Sequence, residues 1–286
     1  MPKRHLTPTE AFDLRQALHV ATLDALMASR RWEPGDLVFQ GGTSLHLVHG
    51  SPRYSEDLNF LVNSSLNLQS LAKAVEARLE GASWLVPAGA ELTVSKAKDA
   101  RNPHTFVVAI GGPDLIGGVR VKVELWRVKA SALTAVKTTV IPVRLVHGAG
   151  SGLQTFVPTA ELPEIYVDKV FALGARPYLK ARDVFDLHWL AAQGVSGLCT
   201  LENLRVRLAT YPAETATAWL AKAQARRKEL ASSTSAVAQD LERWLPSAWP
   251  LTGVVIPSMV QVAIESLDEG MQIMREIEAK AQSNGS

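Results

Sequence analysis

The sequence predicts an α+β fold, in which an N-terminal half of strands and helices precedes a C-terminal helical domain. Three observations lead to this expectation. Residues 39–62 read as a strand, two glycines, a short helix, a loop and a second strand. Further β-like runs follow as far as residue 146, and from Ala160 onward the apolar residues recur at helical spacing. A chain of 286 residues can hold two domains, which we place at 1–155 and 156–286 because glycines and a proline fill residues 148–159.

The first elements lead to a glycine turn. Thr7-Pro8-Thr9-Glu10 is typical of a helix start, and this helix is expected to run to about residue 29. Gly41 and Gly42 follow the apolar run 37–39, and Thr43 is expected to cap a helix over residues 44–49. Two glycines let a ligand approach the backbone, and a helix N-terminus offers unpaired amides and partial positive charge. The turn therefore predicts a phosphate site.

The strand after this turn carries polar residues on one face. Because strand side chains alternate, Ser55, Asp57 and Asn59 should point to one side, and Glu56 and Leu58 to the other. A carboxylate and an amide are thus expected to point together towards the glycine turn.

The remaining elements follow from spacing and turn residues. We expect a helix over residues 67–79, strands over 91–97, 104–110 and 119–126, and a hairpin joining the last two strands. A strand over residues 136–146 contains Pro142, which suits a sheet edge. In the third of these strands Lys122, Glu124 and Trp126 share a face. Helices are expected over residues 162–174, 181–193, 201–210, 214–230 and 257–281, with the basic run 226–228 on a solvated helix face.

Composition excludes several classes of protein. Cys199 is the single cysteine, so an intramolecular disulfide or a cysteine-rich zinc site is ruled out and a reducing, cytoplasmic setting is expected. No stretch resembles a signal peptide or a membrane helix, so no membrane partner is expected. His46 and His49 have no third ligand at a suitable spacing, so they are not interpreted as a metal site.

The stretch GGTSLHLVHGSPRYSEDLNF resembles the signature of the DNA polymerase β nucleotidyltransferase superfamily, a glycine pair followed by two acidic residues one apart. It is more closely similar to the AbiEii/AbiGii-type, MenT-like toxins, whose version ends in Asp-Leu-Asp-Phe. The resemblance implies a nucleotidyltransferase fold, a mixed sheet flanked by helices, for residues 1–155 and a helical domain, 156–286, that completes the active-site cleft. Asn59 departs from it, since it stands at the second acidic position and offers only a neutral carbonyl oxygen.

The resemblance also implies the site residues. It makes Asp57, Asn59 and Glu124 the ligands of Mg²⁺, or of Mn²⁺, with Glu124 as the third acid from a neighbouring strand. The toxins carry a lysine on one helix and a basic-x-basic-Asp-x-x-Asp run on the next, matched here by KARDVFD and a preceding lysine. The implied catalytic residues are Asp57, Asn59, Glu124, Lys169 and Asp186, and the implied nucleotide-binding residues are Gly41, Gly42, Thr43, Ser44, Arg53, Ser55, Lys169, Lys180, Arg182 and Asp183.

Spacing alone leaves the helical residues open to two interpretations. Asp183 and Asp186 lie three apart on a helix and could jointly hold Lys169, a metal-bound water or a substrate hydroxyl. The alternative is a salt-bridge cluster that joins two helices.

By this resemblance the protein is expected to be the toxin of a toxin–antitoxin or abortive-infection system. It would transfer NMP from an NTP to an RNA acceptor, the 3′ end of tRNA, and so block translation; its partners would be NTP, tRNA and a cognate antitoxin, with no DNA binding. Two alternatives stay open: a protein or small-molecule hydroxyl as acceptor, as in AMPylation, or a degenerate protein that binds nucleotide or RNA without turnover because of Asn59. Asn59 is either native or an engineered Asp→Asn change, which the codon in the native gene decides.

Overall fold

The computed structural model describes residues 3–96, 102–144, 154–211, 214–251 and 253–283. The chain divides into two compact units, one made of Met1–Gly50 and Ser55–Ala160, the other of Ser51–Tyr54 and Glu161–Ser286. The first unit thus ends at Ala160 and not at residue 155, because a strand runs through the position where we expected the boundary. Residues 148–153 of that expected boundary lie outside the described residues.

The first unit combines one sheet with helices. Its strands are β1 (Arg4–His5), β2 (Leu37–Gln40), β3 (Asp57–Asn63), β4 (Glu91–Lys96), β5 (His104–Gly112), β6 (Leu115–Val128), β7 (Thr138–Arg144) and β8 (Gln154–Ala160). Its helices are α1 (Pro8–Ala28), α2 (Gly41–Leu47), α3 (Leu71–Leu79) and α4 (Ala130–Thr134), with a 3₁₀ helix at Glu80–Leu85.

The sheet is mixed, as predicted. Its order is β4-β5-β6-β3-β2-β8-β7, and β1 also pairs with β6. β5 and β6 form the expected antiparallel hairpin, whereas β3 and β6 are parallel. β7, which contains Pro142, lies at an edge, where a proline removes no hydrogen bond that a further strand would need.

One face of this sheet forms the core of the first unit. Leu58, Phe60 and Val62 of β3 are fully buried there with residues of α1 and α3. The odd positions of β6, from Val119 to Leu125, belong to the same core. Asp57, Asn59, Lys122 and Glu124 therefore point to the opposite face, as strand alternation predicts.

The predicted start of α1 is confirmed. Thr7 is the N-cap; its hydroxyl accepts from the Glu10 amide over 3.2 Å, and Glu10 Oε2 accepts from the Thr7 amide over 2.9 Å. The two reciprocal bonds satisfy amides that the first helical turn leaves unpaired. β8 was not predicted, since Pro158 and the preceding glycines read as loop.

The second unit is helical in its described residues, as predicted. Its helices are α5 (Leu162–Ala175), α6 (Ala181–Ala192), α7 (Leu201–Thr210), α8 (Ala216–Leu230), α9 (Thr234–Leu241) and α10 (Val255–Ser283), of which α9 was not expected. Trp219 is fully buried at its centre and donates from Nε1 to the Phe171 carbonyl over 2.9 Å.

The basic run on α8 is only partly the solvated face that we expected. Arg226 is buried and donates to the carbonyls of Leu173 and Arg176 at the end of α5, at 3.3 and 2.8 Å. It satisfies carbonyls that a helix C-terminus leaves without partners. Across the described residues, no helix combines the length and the apolar character that crossing a membrane requires.

Candidate active site

Helix α2 includes the glycine pair. Gly41 has a φ of +83°, a conformation that L side chains rarely adopt, and a Cβ built on it would lie 3.5 Å from Asn59 Cβ. Gln40 is the N-cap, without a side-chain capping bond. The prediction that Thr43 caps a helix starting at Ser44 is therefore wrong, because the α-helix already contains Gly41 and Gly42.

The hydroxyl groups after the glycines bond to the backbone. Thr43 Oγ1 donates to the Asp57 carbonyl, and Ser44 Oγ donates to the Gly41 carbonyl over 2.8 Å. Both side chains are fully buried. They stabilise the turn and tie it to the first residue of β3, so what the turn can offer a ligand is its first-turn backbone amides.

Polar side chains form two rows across the sheet. Asp57 of β3 is the register partner of Lys122 of β6, and Asn59 is the partner of Glu124. Gln40 of β2 pairs with Asn59 on the other side and extends the second row. Ser55, by contrast, lies before β3, which begins at Asp57. The parallel pairing of β3 with β6 is what places both carboxylates on one face of neighbouring strands.

Lys122 is a member of this face that the resemblance did not indicate. Its Nζ donates to Glu124 Oε1, and Glu124 is only 20% exposed. The hydrogen bond to Glu124 raises the pKa of Lys122 above its ordinary value, burial opposes this, and the Asp57 charge adds to the increase. The Lys-x-Glu alternation of β6 was visible in the sequence, but the position of Lys122 opposite Asp57 depends on the strand register.

The donor set of the face suits one divalent cation. Asp57 and Glu124 supply carboxylate oxygens, and Asn59 donates from Nδ2 to the Asp57 carbonyl over 3.4 Å, which leaves Oδ1 as its free acceptor atom. Such oxygen ligands are those that Mg²⁺ and Mn²⁺ take. In the described part of the chain no three His, Cys, Asp or Glu residues are grouped to hold a metal ion.

Gln40 carries a buried polar atom without a partner. The residue is 7% exposed, and its Oε1 accepts no hydrogen bond within the described structure. A buried unpaired carbonyl oxygen is unfavourable by about 1–3 kcal/mol, and its place beside Asn59 puts it on the candidate face. The sequence carried no signal for it beyond its position before the glycines.

A chain of polar side chains fixes the backbone next to Asp57. His19 of α1 is fully buried and donates from Nε2 to the Glu56 carbonyl over 2.9 Å. Gln16 lies between the His19 ring and His46 of α2, and its Nε2 bonds to His46 Nε2. Burial lowers the pKa of His19 to about 4, so the ring is neutral near pH 7. The Glu56 side chain lies 3.5 Å from Arg15 of α1, which confirms that it points away from Asp57.

The second unit contains a buried cluster of charges. Lys169 Nζ of α5 lies 2.8 Å from Asp183 and 2.6 Å from Asp186, both on α6. Arg53 donates to both oxygens of Asp186, over 2.6 and 2.8 Å, and to the Tyr54 carbonyl over 2.7 Å. Arg176 donates to the other oxygen of Asp183. The two aspartates thus hold Lys169 together, and the contact is buried rather than on the surface.

Charge attraction outweighs burial in this cluster. Burial alone would raise the pKa of both aspartates. The positive charges of Lys169 and Arg176 nevertheless lower the pKa of Asp183 below its ordinary value. Those of Arg53 and Lys169 lower the pKa of Asp186 in the same way. Both carboxylates are therefore ionised. Three cations face two anions, so the cluster as a whole is positive.

The other basic residues implied by the resemblance lie around α6. Lys180 is its N-cap; burial and then the charge of Arg176 lower the Lys180 pKa. Arg182 stacks on the Trp244 ring, with its guanidinium carbon 4.0 Å from the ring centroid. Their role towards a nucleotide stays a prediction, as do the roles of the other residues that the resemblance implied.

A family model described as nucleotidyl transferase AbiEii toxin, type IV toxin–antitoxin system, matches residues 24–250. The chain belongs to this family. The AbiEii match includes the glycine turn, the candidate face and the buried charge cluster. The match places the protein in a family of nucleotidyltransferase toxins of toxin–antitoxin systems, as the sequence resemblance predicted.

Solved structures share the AbiEii-type fold. MenT4, a nucleotidyltransferase toxin from Mycobacterium tuberculosis, is 16% identical with a TM-score of 0.54, covering 94% of this chain and 92% of its own. JHP933 from Helicobacter pylori is 19% identical with a TM-score of 0.51, covering 98% of each chain. A search of curated proteins gives no match. At these identities the likeness shows the fold.

Proposed function

We propose that this AbiEii-family protein transfers NMP from an NTP to the 3′ end of tRNA in a reaction that depends on Mg²⁺. One observation carries the proposal: Asp57 and Glu124 lie on one face of paired strands, with Asn59 between them in register. Of the described residues, these provide the oxygen donors for a cation beside a glycine turn.

The reaction exchanges one phosphorus–oxygen bond for another. The acceptor hydroxyl oxygen forms a bond to the α-phosphorus, the bond from this phosphorus to the bridging oxygen breaks, and pyrophosphate leaves. Asp57, Asn59 and Glu124 would hold Mg²⁺ or Mn²⁺, which supplies charge neutralisation at the phosphates when bound. Glu124 would also orient the acceptor hydroxyl and accept its proton.

The remaining residues are proposed to bind and orient the triphosphate. The amides of the turn Gly41-Gly42-Thr43-Ser44 would donate hydrogen bonds to phosphate oxygens, supported by Arg53 and Ser55. Lys169 would neutralise phosphate charge as a compact cation, and Lys180 and Arg182 would contact the nucleotide. Asp183 and Asp186 hold Lys169 in place, so we assign to them a positioning role.

Transfer of NMP to the 3′ end of tRNA would block aminoacylation and therefore translation. This block would make the protein toxic to the cell. A cognate antitoxin would restrain it, and tRNA as acceptor places the action in the cytoplasm. Positive residues that neutralise phosphates would make tRNA binding fall with salt.

Labelling of tRNA tests the proposal. Total tRNA is incubated with each α-labelled NTP and Mg²⁺ in the presence of the native chain, Asn59→Asp and Asp57→Ala. Label on tRNA from the native chain and none from Asp57→Ala is the expected result. If neither the native chain nor Asn59→Asp labels tRNA, the same two proteins are incubated with a lysate. Label on lysate proteins or small molecules would then identify one of those classes as the acceptor in place of tRNA.

A second candidate is a protein that binds NTP or RNA without turnover. Asn59 favours it, because the face holds two carboxylates where the family pattern has a further acid. Equilibrium binding of an NTP by the native chain, combined with label transfer by Asn59→Asp only, would establish this reading.

A further inference from the structure

The candidate face differs from a three-carboxylate site in two places. Asn59 is neutral, and Lys122 brings a positive charge that hydrogen-bonds Glu124 and is the cross-strand partner of Asp57. The remaining charged members are Asp57 and Glu124. The two register pairs Asp57–Lys122 and Asn59–Glu124 thus carry two negative charges and one positive charge on the neighbouring strands β3 and β6.

We propose that the site holds a single divalent cation and that the Lys122 ammonium takes the place of a second one. The charge balance supports this. Two divalent cations bound by three carboxylates have a net charge of one positive unit. One divalent cation bound by two carboxylates, with a lysine beside it, has the same net charge. Two divalent cations here would leave three positive charges on partly buried strands, which is unfavourable at a low dielectric constant.

Lys122 differs from an isolated surface lysine by its partners rather than by its own burial. Its side chain is 45% exposed, but the Glu124 carboxylate that it bonds is only 20% exposed, so the ion pair is less screened than a pair in which both partners are exposed. A lysine has three N–H donors, and the bond to Glu124 uses one of them. A second can reach a phosphate oxygen, so that the ammonium would stabilise the charge of the transferring group.

Arg120 provides an internal comparison. It lies on the same face of β6, two residues before Lys122, and is exposed. Its register partner is Ala109 of β5, whereas Lys122 has Asp57 beside it on β3. Neutralising Arg120 therefore changes the charge of β6 by the same amount as neutralising Lys122, but it leaves the candidate site unchanged.

Counting bound Mn²⁺ tests the inference, which rests on the proposed function. Electron paramagnetic resonance is recorded on the full chain with Mn²⁺ alone and with each of four α,β-methylene NTP analogues. We expect one Mn²⁺ per native chain in the presence of a bound analogue. The double variant Asn59→Asp/Lys122→Gln should hold two Mn²⁺ ions that are magnetically coupled, since paired metals lie about 3.5–4 Å apart.

A coupled Mn²⁺ pair on the native chain would overturn the inference, and so would a single uncoupled ion on the double variant. Either result leaves NMP transfer to tRNA intact, which separates it from a failure of the proposed function. A chain that binds none of the analogues would instead contradict the proposed function and the inference together.

A single substitution gives an independent readout. Lys122→Gln should bind the first Mn²⁺ about tenfold more tightly, because a nearby positive charge is gone, while NMP transfer falls at least about tenfold. Arg120→Gln should change neither quantity by more than about twofold. If Lys122→Gln loses NMP transfer but does not bind Mn²⁺ more tightly, Lys122 has only a structural role and the proposal is rejected.

Discussion

At the scale of single residues, the candidate face is defined by what each side chain has already bonded. Thr43 and Ser44 are committed to backbone carbonyls, and Asn59 turns its amide nitrogen to the Asp57 carbonyl. Gln40 retains an unpaired buried oxygen. Residues that match a family motif therefore divide into those that build the turn and those that can still receive a ligand.

Asp57→Ala should abolish NMP transfer without unfolding the protein. The Asp57 side chain is only partly buried and lies on the face opposite the core, so its loss removes a carboxylate but leaves the core packing unchanged. Transfer is measured with labelled NTP, and folding by circular dichroism and urea unfolding. Retained transfer in a folded Asp57→Ala protein would remove this residue from the cation site.

At the scale of elements, α5 and α6 and the segment Ser51–Tyr54 are joined by buried ion pairs. Arg53 reaches Asp186 across 133 residues of sequence, and Lys169 bonds both aspartates. A buried pair adds little net stability by itself, but removing one partner leaves the others charged and desolvated.

Asp186→Ala should lower the free energy of unfolding by about 3–5 kcal/mol, because Arg53 and Lys169 would lose a fully buried counter-ion. Urea unfolding followed by circular dichroism measures the change. Asp240→Ala is the control, since its ion pair with Arg243 is exposed and should contribute under about 1 kcal/mol. Equal effects of the two substitutions would contradict the buried cluster.

Packing of α5 on α8 leaves no room at Gly174. A Cβ there would lie 2.4 Å from Trp219 Cζ2, and the Trp219 ring is fixed by its bond to the Phe171 carbonyl. Gly174→Ala should therefore reduce the free energy of unfolding by about 1–3 kcal/mol. Gly253→Ala, where a Cβ meets nothing within 4 Å, should have little effect. Urea unfolding distinguishes the two, and an unchanged midpoint for Gly174→Ala would refute this packing.

At the scale of the whole molecule, two separate compact units carry the two sets of charged residues. The first places its core on one face of the sheet and its polar rows on the other. The second surrounds Trp219 and holds its charge cluster between helices. Stability of the first unit also depends on a neutral His19, which contacts Gln16 and the Glu56 carbonyl near Arg15 and His46.

The chain should lose stability when the pH falls from 7 to 5. The pKa of His19 is about 4 when folded, and about 6.5 when unfolded, so between these values the unfolded state binds more protons and acid favours it. The expected loss due to this residue is about 2 kcal/mol. His19→Gln, which can still donate to the Glu56 carbonyl, should show a correspondingly smaller difference between urea unfolding at pH 7 and at pH 5. Identical pH dependence in the two proteins would contradict a buried neutral His19.

Prediction from sequence succeeded where the signal was local. The alternation of Asp57 with Leu58 and of Lys122 with Val123 gave the faces of β3 and β6, and Thr7 with Glu10 gave the start of α1. It failed at β8 because Pro158 and the preceding glycines read as loop, whereas β8 pairs with β2 and β7. Arg226 was expected in solvent because nothing near it in sequence shows that it satisfies the end of α5.

The sequence by itself determined the family pattern, the two-part α+β organisation and which residues share a strand face, since these depend on neighbours a few positions apart. Only the tertiary structure decided that Lys122 lies opposite Asp57, that Gln40 adjoins Asn59 and that Arg53 bonds Asp186. These contacts join residues far apart in the chain. They depend on strand register and helix packing, which are set by the burial of the whole apolar core rather than by any single segment.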